Sequence, residues 1–346
     1  MTENSVKPIK LDDLAKELGV SKVTVSKALR NHPDISPATR VRVKELADKL
    51  GYMPNFMAKN LSSRKSNIIG LVIPKIAHLF FGSVIESVYD TAFENNYETV
   101  ITVSGELAER ERKHILSLLS MRVDGLIVSI TQETRDVAIF ERALQQNVPI
   151  VFIDRIPNIK NVPTVTVDDK GGAFNAVEDF IKNGIRKIGH VGGYSYINIG
   201  RLRKEGCFAA MKKYKIPINE NWITEGGFGE EDGYKGFKKI YDYGTLPDAI
   251  LAVTYPVALG IYQAAEEKGI KIPRDLKVTC FGNNTYKRTL PSIFNFVDQP
   301  TEQIGREAVK LLLKLINNPD ETIDINIKLK TRLITNGNGD RREHTV

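Results

Sequence analysis

A short polar segment near the N-terminus carries side chains suited to contact with a nucleic acid. Residues 19–29 have the sequence Gly-Val-Ser-Lys-Val-Thr-Val-Ser-Lys-Ala-Leu, which predicts a tight turn and a short helix whose exposed face carries Lys22, Val23 and Lys27. A lysine ammonium can donate to guanine O6 and N7, and a valine can pack against a thymine methyl group. Three hydroxyl groups of the segment suit phosphate oxygens, which set register without distinguishing sequence: those of Ser21, Thr24 and Ser26.

The residues before this segment complete the pattern of a helix-turn-helix. Leu14, Ala15 and Leu18 are spaced as the apolar stripe of a preceding helix. Gly19 tolerates the left-handed conformation that ends a helix, and Ser21 can cap the next one. Two short helices joined by such a turn place the second helix in a DNA major groove.

A third helix would complete a small bundle over residues 7–52. Ser36 can cap this helix, Pro37 suits its first position, and Gly51 ends it. We expect five of its apolar side chains to face the first two helices: Val41, Val43, Leu46, Ala47 and Leu50.

Positive charge is concentrated in the N-terminal region. The formal net charge is +7; residues 1–66 hold 13 Lys and Arg against 7 Asp and Glu, and the remainder holds 36 against 35. A basic head on a nearly neutral body is typical of binding to the phosphate backbone. A solvated basic tail is the alternative, but here the basic residues fall on patterned helices.

A linker over residues 53–66 follows the head. Asn55 can cap a helix of under two turns there, and such a helix is unstable alone because nucleation is costly. We therefore expect a hinge helix that forms only when something packs on it.

Beyond Ile68 the chain alternates buried strands with amphipathic helices, which predicts an α/β fold of parallel sheets with right-handed crossovers. The predicted strands are 68–73, 99–103, 125–130, 149–153, 164–167, 187–191, 222–225, 249–253 and 277–280. The predicted helices are 82–95, 109–121, 136–146, 171–183, 203–214, 231–243, 256–267 and 301–317. Two sheets imply two lobes with a cleft between them. We assign residues 67–166 with 301–328 to the first lobe, 167–300 with 329–337 to the second, and 338–346 to a tail.

Short motifs are spread along the chain to about Leu333. They are Leu11-Asp12-Asp13-Leu14-Ala15, Gly19-Val20-Ser21 with Thr24-Val25-Ser26, Ser36-Pro37-Ala38-Thr39-Arg40, Leu50-Gly51-Tyr52-Met53-Pro54-Asn55, Ile69-Gly70-Leu71-Val72, Phe80-Phe81, Val123-Asp124-Gly125-Leu126-Ile127, Asp154-Arg155, Val167-Asp168-Asp169 and Arg201-Leu202-Arg203. In this order they resemble the LacI/GalR family of bacterial transcription repressors. The resemblance implies a homodimer whose core, two Rossmann-like lobes similar to a periplasmic binding protein, binds a small effector.

The resemblance also implies which residues contact a palindromic operator. Lys22, Val23 and Lys27 would face base edges, and Leu61 would enter the central minor groove as an apolar wedge that bends the duplex. This family often has arginine at the position of Lys27; because lysine lacks the rigid guanidinium fork, the half-site is expected to be less strictly specified. Further contacts are expected from Arg30, Asn55 and Lys59. The alternative for the segment around Leu61 is a plain linker.

The resemblance places an effector in the cleft beside five residues: Phe80, Phe81, Asp154, Arg203 and Phe228. Aromatic faces with a carboxylate and a guanidinium suit a hydroxyl-rich ring. Two departures from the family pattern affect the second lobe, where Thr254-Tyr255 replaces the usual Asn-Asp and Gly282-Asn283 replaces the usual Asp-Asp. The missing carboxylates remove negative charge, so the effector is expected to be bulkier, less hydroxylated or anionic, such as a sugar acid or sugar phosphate. The alternative is no small effector, or a protein partner in its place.

The sequence favours a DNA-binding regulator that is not an enzyme. Two other functional classes are the alternatives. A periplasmic solute-binding protein has the same two lobes, but no apolar run follows a basic start and the head is basic. An enzyme would need a nucleophile, metal cluster or phosphate loop, and the five histidines show no such spacing; Asp168-Asp169 suits a helix N-cap better than acid–base chemistry. We expect no cofactor, no metal, no membrane segment and a cytoplasmic, nucleoid-associated protein, since two cysteines fit a reducing compartment.

Overall fold

The computed structural model describes residues 9–53, 65–282, 293–318 and 325–335 of the 346-residue chain. The chain divides into two compact units, residues 1–66 and 67–346. The predicted hinge helix with Asn55, Lys59 and Leu61, the predicted cleft residue Asn283 and the tail lie outside the described residues.

The first unit contains the three helices that the sequence predicts: α1 (Leu11–Leu18), α2 (Lys22–Leu29) and α3 (Pro37–Leu50). Gly19 ends α1 with a φ of 64°, a left-handed conformation that favours glycine. The hydroxyl of Ser21 accepts a hydrogen bond from the Thr24 amide at 3.0 Å and so caps α2. The turn and the cap therefore fix the start of α2.

A small apolar core holds these helices together. Its buried side chains are Leu14, Ala15, Val25, Ala28, Val43 and Ala47. The prediction for α3 is wrong at Val41, which is 53% exposed, and at Leu50, which is also exposed. Positions 41 and 43 lie about 200° apart around a helix, so only one of them can face the core, and Val43 does.

The second unit is built on two six-stranded sheets. The first consists of β1 (Ile68–Ile73), β2 (Glu98–Val103), β3 (Gly125–Val128), β4 (Ile150–Ile153), β5 (Thr164–Val167) and β11 (Asn326–Leu329), in the order β11-β5-β4-β3-β1-β2 and all parallel. The second consists of β6 (Ile188–Gly193), β7 (Ile223–Gly226), β8 (Ala249–Ala252), β9 (Lys277–Phe281), β10 (Asn295–Asp298) and β12 (Arg332–Ile334), in the order β12-β10-β9-β8-β6-β7. Only β12 within this sheet is antiparallel to its neighbour.

Eight α-helices accompany these sheets in the described residues. They are α4 (Leu79–Glu94), α5 (Ala108–Ser120), α6 (Ala138–Gln145), α7 (Asp169–Lys182), α8 (Asn198–Lys213), α9 (Glu230–Asp242), α10 (Tyr255–Glu267) and α11 (Thr301–Asn317). Lobe 1 is the first sheet with α4, α5, α6 and α11; lobe 2 is the second sheet with α7 to α10. Among the described residues, none of the helices is long and apolar enough to cross a lipid bilayer.

The strand–helix alternation is confirmed, and three strands were missed. The nine predicted strands correspond to β1–β9 and the eight predicted helices to α4–α11, although α8 begins five residues earlier, at Asn198. The missed strands are β10, β11 and β12. Along the described chain, connections between the lobes occur from β5 to α7, from β10 to α11 and from β11 to β12.

Candidate nucleic-acid interface and ligand cleft

The face of α2 that the sequence assigns to base contact is accessible. Val23 is 64% exposed, more than Val41 or Leu50, the exposed apolar side chains of α3. Lys22 and Lys27 flank it on the same short helix. The exposed face of α2 therefore carries an apolar side chain, Val23, between the ammonium groups of Lys22 and Lys27.

Both lysines form ion pairs with carboxylates of the same head. The Nζ of Lys22 lies 2.8 Å from Asp12, and the Nζ of Lys27 lies 2.9 Å from Asp34. The hydrogen bond from Lys27 and the nearby charge of His32 hold the pKa of Asp34 below its usual range. Exposed pairs of this kind contribute little to stability, so phosphates or base edges can replace the carboxylates at low cost.

The hydroxyl groups near the start of α2 are engaged in local contacts. Those of Ser21 and Thr24 lie 2.8 Å apart at the cap. Further along, the guanidinium of Arg30 donates to the hydroxyl of Ser26 at 3.0 Å and to its carbonyl at 3.2 Å. Arg30 and Ser26 therefore form one polar group at the end of the helix.

A cavity of about 220 Å³ lies between the lobes, where β1, β4, β8 and β9 end. Ligand clefts of parallel sheets lie beyond the carboxyl ends of the strands. Of the predicted cleft residues, six line this cavity: Phe80, Phe81, Asp154, Arg203, Thr254 and Tyr255.

Phe228 is enclosed behind the cavity wall. It is buried, its ring lies 4.4 Å beneath the guanidinium carbon of Arg155, and a Cβ at Gly193 would collide with it. Its carbonyl accepts a hydrogen bond from the Thr254 hydroxyl at 3.0 Å. Phe228 therefore supports residues that line the cavity.

Arg203 lines the cavity while its polar atoms are directed to the protein. Its guanidinium lies 2.7 Å from Asp169, donates also to the carbonyl of Val253, and stacks 3.8 Å over the ring of Phe281. Both members of the Arg203–Asp169 pair are buried. The helix-cap interpretation thus holds for Asp168, which accepts from the Gly171 amide at 3.2 Å, but it is wrong for Asp169.

Arg155 is paired in the same way, to a carboxylate of lobe 1. Its guanidinium donates to Glu106 at 2.9 Å, and both side chains are buried. Glu106 also accepts from the Gln132 amide at 2.9 Å. The two guanidiniums at the cavity are therefore each neutralised by a buried carboxylate.

Asp154 is the buried carboxylate that faces the cavity from lobe 1. Its backbone has a φ of 56°, and its carbonyl accepts from the Asn198 side chain of lobe 2 at 2.9 Å. Burial raises the pKa of its carboxyl to about 6, against the opposing charges of Arg155 and Arg203. Within the described chain, no side chain pairs with it, which leaves its oxygens to accept from a ligand.

Four polar residues of the cavity were absent from the predicted set: His78, Arg155, Glu230 and Gln299. Glu230 is the first residue of α9, and its carboxylate lies in the cavity wall with Tyr255. Negative charge was expected to be missing from this wall, because Thr254-Tyr255 replaces the usual Asn-Asp. Arg155 and His78 border predicted residues and were within reach of sequence reasoning. Gln299 follows β10, a strand that was itself missed.

A second group of contacts joins the lobes outside the cavity. The hydroxyl of Tyr196 in lobe 2 donates to the carbonyl of Gln132 in lobe 1 at 2.8 Å. The guanidinium carbon of Arg135 lies 3.1 Å from the centre of the Tyr196 ring. The Tyr194 ring stacks on the Tyr196 ring, with the two ring centres 5.1 Å apart. These contacts stabilise the approach of the lobes.

The architecture defines a class of protein, a helix-turn-helix head followed by a two-lobed ligand-binding core. Residues 10–55 match the model for bacterial regulatory proteins of the lacI family, and residues 177–337 match a periplasmic binding protein-like domain. The catabolite control protein A of Priestia megaterium is 30% identical over 316 residues, which cover 91% of this chain and 94% of that protein. The chain therefore belongs to the LacI family of bacterial regulators: it is a DNA-binding transcriptional regulator of the repressor type and not an enzyme.

Solved structures support the same architecture. The transcriptional regulator CelR in complex with cellobiose is 25% identical, with a TM-score of 0.70, 94% of this chain covered and 98% of that chain. The lac repressor dimer bound to operator and an anti-inducer is 24% identical, with a TM-score of 0.80, and the match covers 95% and 98% of the two chains; at this identity it shows the fold.

Among described residues, no cluster of side chains could hold a metal ion.

Proposed function

We propose that this regulator binds a palindromic operator as a homodimer and represses a carbohydrate-related operon under the control of a sugar or sugar derivative. The observation that best supports this function is the cavity between the lobes. It is lined by aromatic rings and by the buried carboxylate of Asp154, which forms no ion pair with a described side chain. A helix-turn-helix protein without ligand control has no need of such a cavity.

The DNA contacts follow from the chemistry of α2. Lys22 and Lys27 exchange their carboxylate partners for base edges or phosphates, and Val23 packs on a thymine methyl group. Ser21, Thr24, Ser26 and Arg30 serve the phosphate backbone. From the hinge, Asn55, Lys59 and Leu61 contact the centre of the operator.

Dimer formation is supported by apolar surface on lobe 1. Tyr89 and Phe93 are exposed on α4 and stack with their ring centres 6.4 Å apart, and Ile101 is exposed on β2, the edge strand of its sheet. Exposed aromatic patches of this kind mark association sites. A two-fold axis in the dimer would match the symmetry of a palindromic operator, as in the operator-bound dimer of the lac repressor.

The effector is expected to lie among Phe80, Phe81, Asp154, Arg203, Thr254 and Tyr255, with Asn283 as a further predicted contact and Phe228 supporting the wall from behind. Aromatic faces stack on a sugar ring, and Asp154 accepts from hydroxyl groups. A sugar acid or sugar phosphate fits less well, because both guanidiniums at the cavity are already paired with carboxylates. The cellobiose complex of the similar CelR supports a sugar.

The domain bounds and the cellular location are part of the same proposal. The head spans residues 7–52 and the hinge 53–66; lobe boundaries lie at residues 166–167, 300–301 and 328–329. Regulation of DNA places the protein in the cytoplasm, associated with the nucleoid. Ligand binding alters the angle between the lobes and so the spacing of the two hinge segments.

The test is operator selection followed by ligand titration. Duplexes selected from a random library should contain inverted repeats, and their affinity should fall with salt along a log–log slope set by phosphate contacts. A sugar panel should then shift this affinity, with mass measurements reporting a dimer. Selection of non-palindromic sites would contradict the dimeric arrangement, and an operator affinity that no sugar changes would contradict ligand control and favour a protein partner.

A further inference from the structure

Two carboxylates face the ligand cavity from opposite lobes. Asp154 follows β4 of lobe 1, and Glu230 is the first residue of α9 in lobe 2. In the described part of the chain, neither forms an ion pair. Glu230 and Tyr255 line the same wall of the cavity, and burial together with the Glu230 carboxylate raises the pKa of the Tyr255 phenol.

The cationic groups of the cavity do not offset this charge. Arg155 is held by Glu106 at 2.9 Å, and Arg203 is held by Asp169 at 2.7 Å. Counting these pairs with Asp154 and Glu230 leaves four carboxylates against two guanidiniums.

The other titratable side chains that line the cavity are neutral at pH 7. Burial, Lys75 and Arg155 lower the pKa of His78 to about 4, so its imidazole is uncharged. The raised pKa of Tyr255 keeps its phenol protonated. With both guanidiniums paired to carboxylates outside the lining, Asp154 and Glu230 have no counterion among the described lining residues, and an uncharged ligand would leave them uncompensated as water is displaced.

The aromatic walls suit a cation. Phe80 and Phe81 meet edge to face with ring centres 5.0 Å apart, and Tyr255 lies on the opposite lobe. Ring faces attract ammonium groups, and more strongly where water is excluded. An ammonium that reaches both Asp154 and Glu230 would be attracted by a carboxylate of each lobe, which favours closure of the lobes.

We propose that the effector carries a positively charged amino group, as in an amino sugar, and that Asp154 and Glu230 bind this group from the two lobes. The inference rests on the proposed function and narrows its ligand class. Asp154 serves any hydroxyl-bearing ligand as well, so Glu230 is the residue that distinguishes an amine from a neutral sugar.

The experiment is isothermal titration of the full-length protein at pH 7.0 with matched sets of sugars. The probes are D-glucosamine, D-galactosamine and D-mannosamine, each with its parent hexose, its N-acetyl derivative and its 6-phosphate. At least one free amino sugar should bind about tenfold or more tightly than its three matched forms, the scale of one charge-assisted hydrogen bond. Glu230→Gln should remove most of that preference. Glu231→Gln is the matched control, since Glu231 pairs with Lys235 and does not line the cavity.

Several results would overturn the proposal. These are a parent hexose or N-acetyl sugar that binds as well as the amine, a 6-phosphate that binds more tightly, no binding by any probe, or equal effects of the two glutamine variants. If a neutral hexose binds and shifts operator affinity, the proposed function stands and only the amine is wrong. If the operator is bound tightly and no probe shifts that affinity, sugar control fails as well.

Discussion

Replacing Asp154 by asparagine should stabilise the protein while weakening its response to ligand. Asparagine has nearly the same shape and tolerates the left-handed backbone, here with a φ of 56°. It retains the backbone carbonyl that accepts from Asn198. The substitution therefore removes one charge and changes little else.

The magnitude follows from the pKa of the carboxyl. Burial raises it from 3.8 to about 6, so between these values the folded protein holds a proton that the unfolded chain has lost, and stability falls as the pH rises through this window. At about 1.4 kcal/mol for each pKa unit, the ionised carboxylate costs roughly 3 kcal/mol at pH 7.5 and about half of that at pH 5. Asparagine resembles the protonated form at every pH, so the variant should gain these amounts over the wild type.

Urea denaturation of the core at pH 5.0 and 7.5 measures the gain directly. Asp242→Asn, at an exposed position at the end of α9, is the control and should change stability by less than about 0.5 kcal/mol. The change in operator affinity that the effector causes should be smaller in Asp154→Asn, because the acceptor of ligand hydroxyl or amino groups has lost its charge. A variant no more stable than the wild type, or a gain that is equal at the two pH values, would refute the reasoning from burial.

Three further outcomes test other parts of the structure. Lys27→Ala should lower operator affinity by about 1–3 kcal/mol and relax preference at one base pair, measured by fluorescence anisotropy; unchanged binding across substituted operators would contradict base contact. Tyr196→Phe removes a hydrogen bond between the lobes and should weaken effector affinity several-fold by calorimetry, on the scale of one neutral hydrogen bond of about 1 kcal/mol; unaltered affinity would show that the lobes close without it. Burial raises the pKa of the Cys207 thiol to about 12 and that of Cys280 as well, so a chromogenic disulfide reagent should titrate neither until the core unfolds, and prompt reaction of the native protein would contradict their enclosure.

The sequence was most informative where an element depends on residues close to it along the chain. Gly19, Ser21 and Ser36 act through their own backbone or hydroxyl within three residues, so the bounds of α1, α2 and α3 follow from local chemistry. Strands such as β1 and β4 are continuous apolar runs enclosed on both faces, a pattern that composition reveals.

Elements whose residues acquire their role from distant partners were beyond local reasoning. Strand β11 has exposed polar residues at alternate positions and is defined by its pairing with β5, some 160 positions earlier. The same limit applies within the cleft, because Glu106 pairs with Arg155 across 49 positions and Asp169 with Arg203 across 34. The sequence pointed to Arg203 as a cleft residue, but it could not show that the charge of this arginine is already neutralised by Asp169.

These buried pairs connect the cavity to the points where the chain passes between lobes. Asp169 is the first residue of α7, directly after the connection from β5, and it holds Arg203 at 2.7 Å. Its neighbour Asp168 lies 3.8 Å from Lys328 on β11, the strand before another connection. A ligand packed against Arg203 therefore acts on a side chain that is held by the connection from β5 to α7. A small displacement of this connection changes the angle between the two lobes. Because a buried pair deprived of one partner is strongly destabilised, the pair is expected to move as a unit, and this gives ligand binding a mechanical route to lobe rotation.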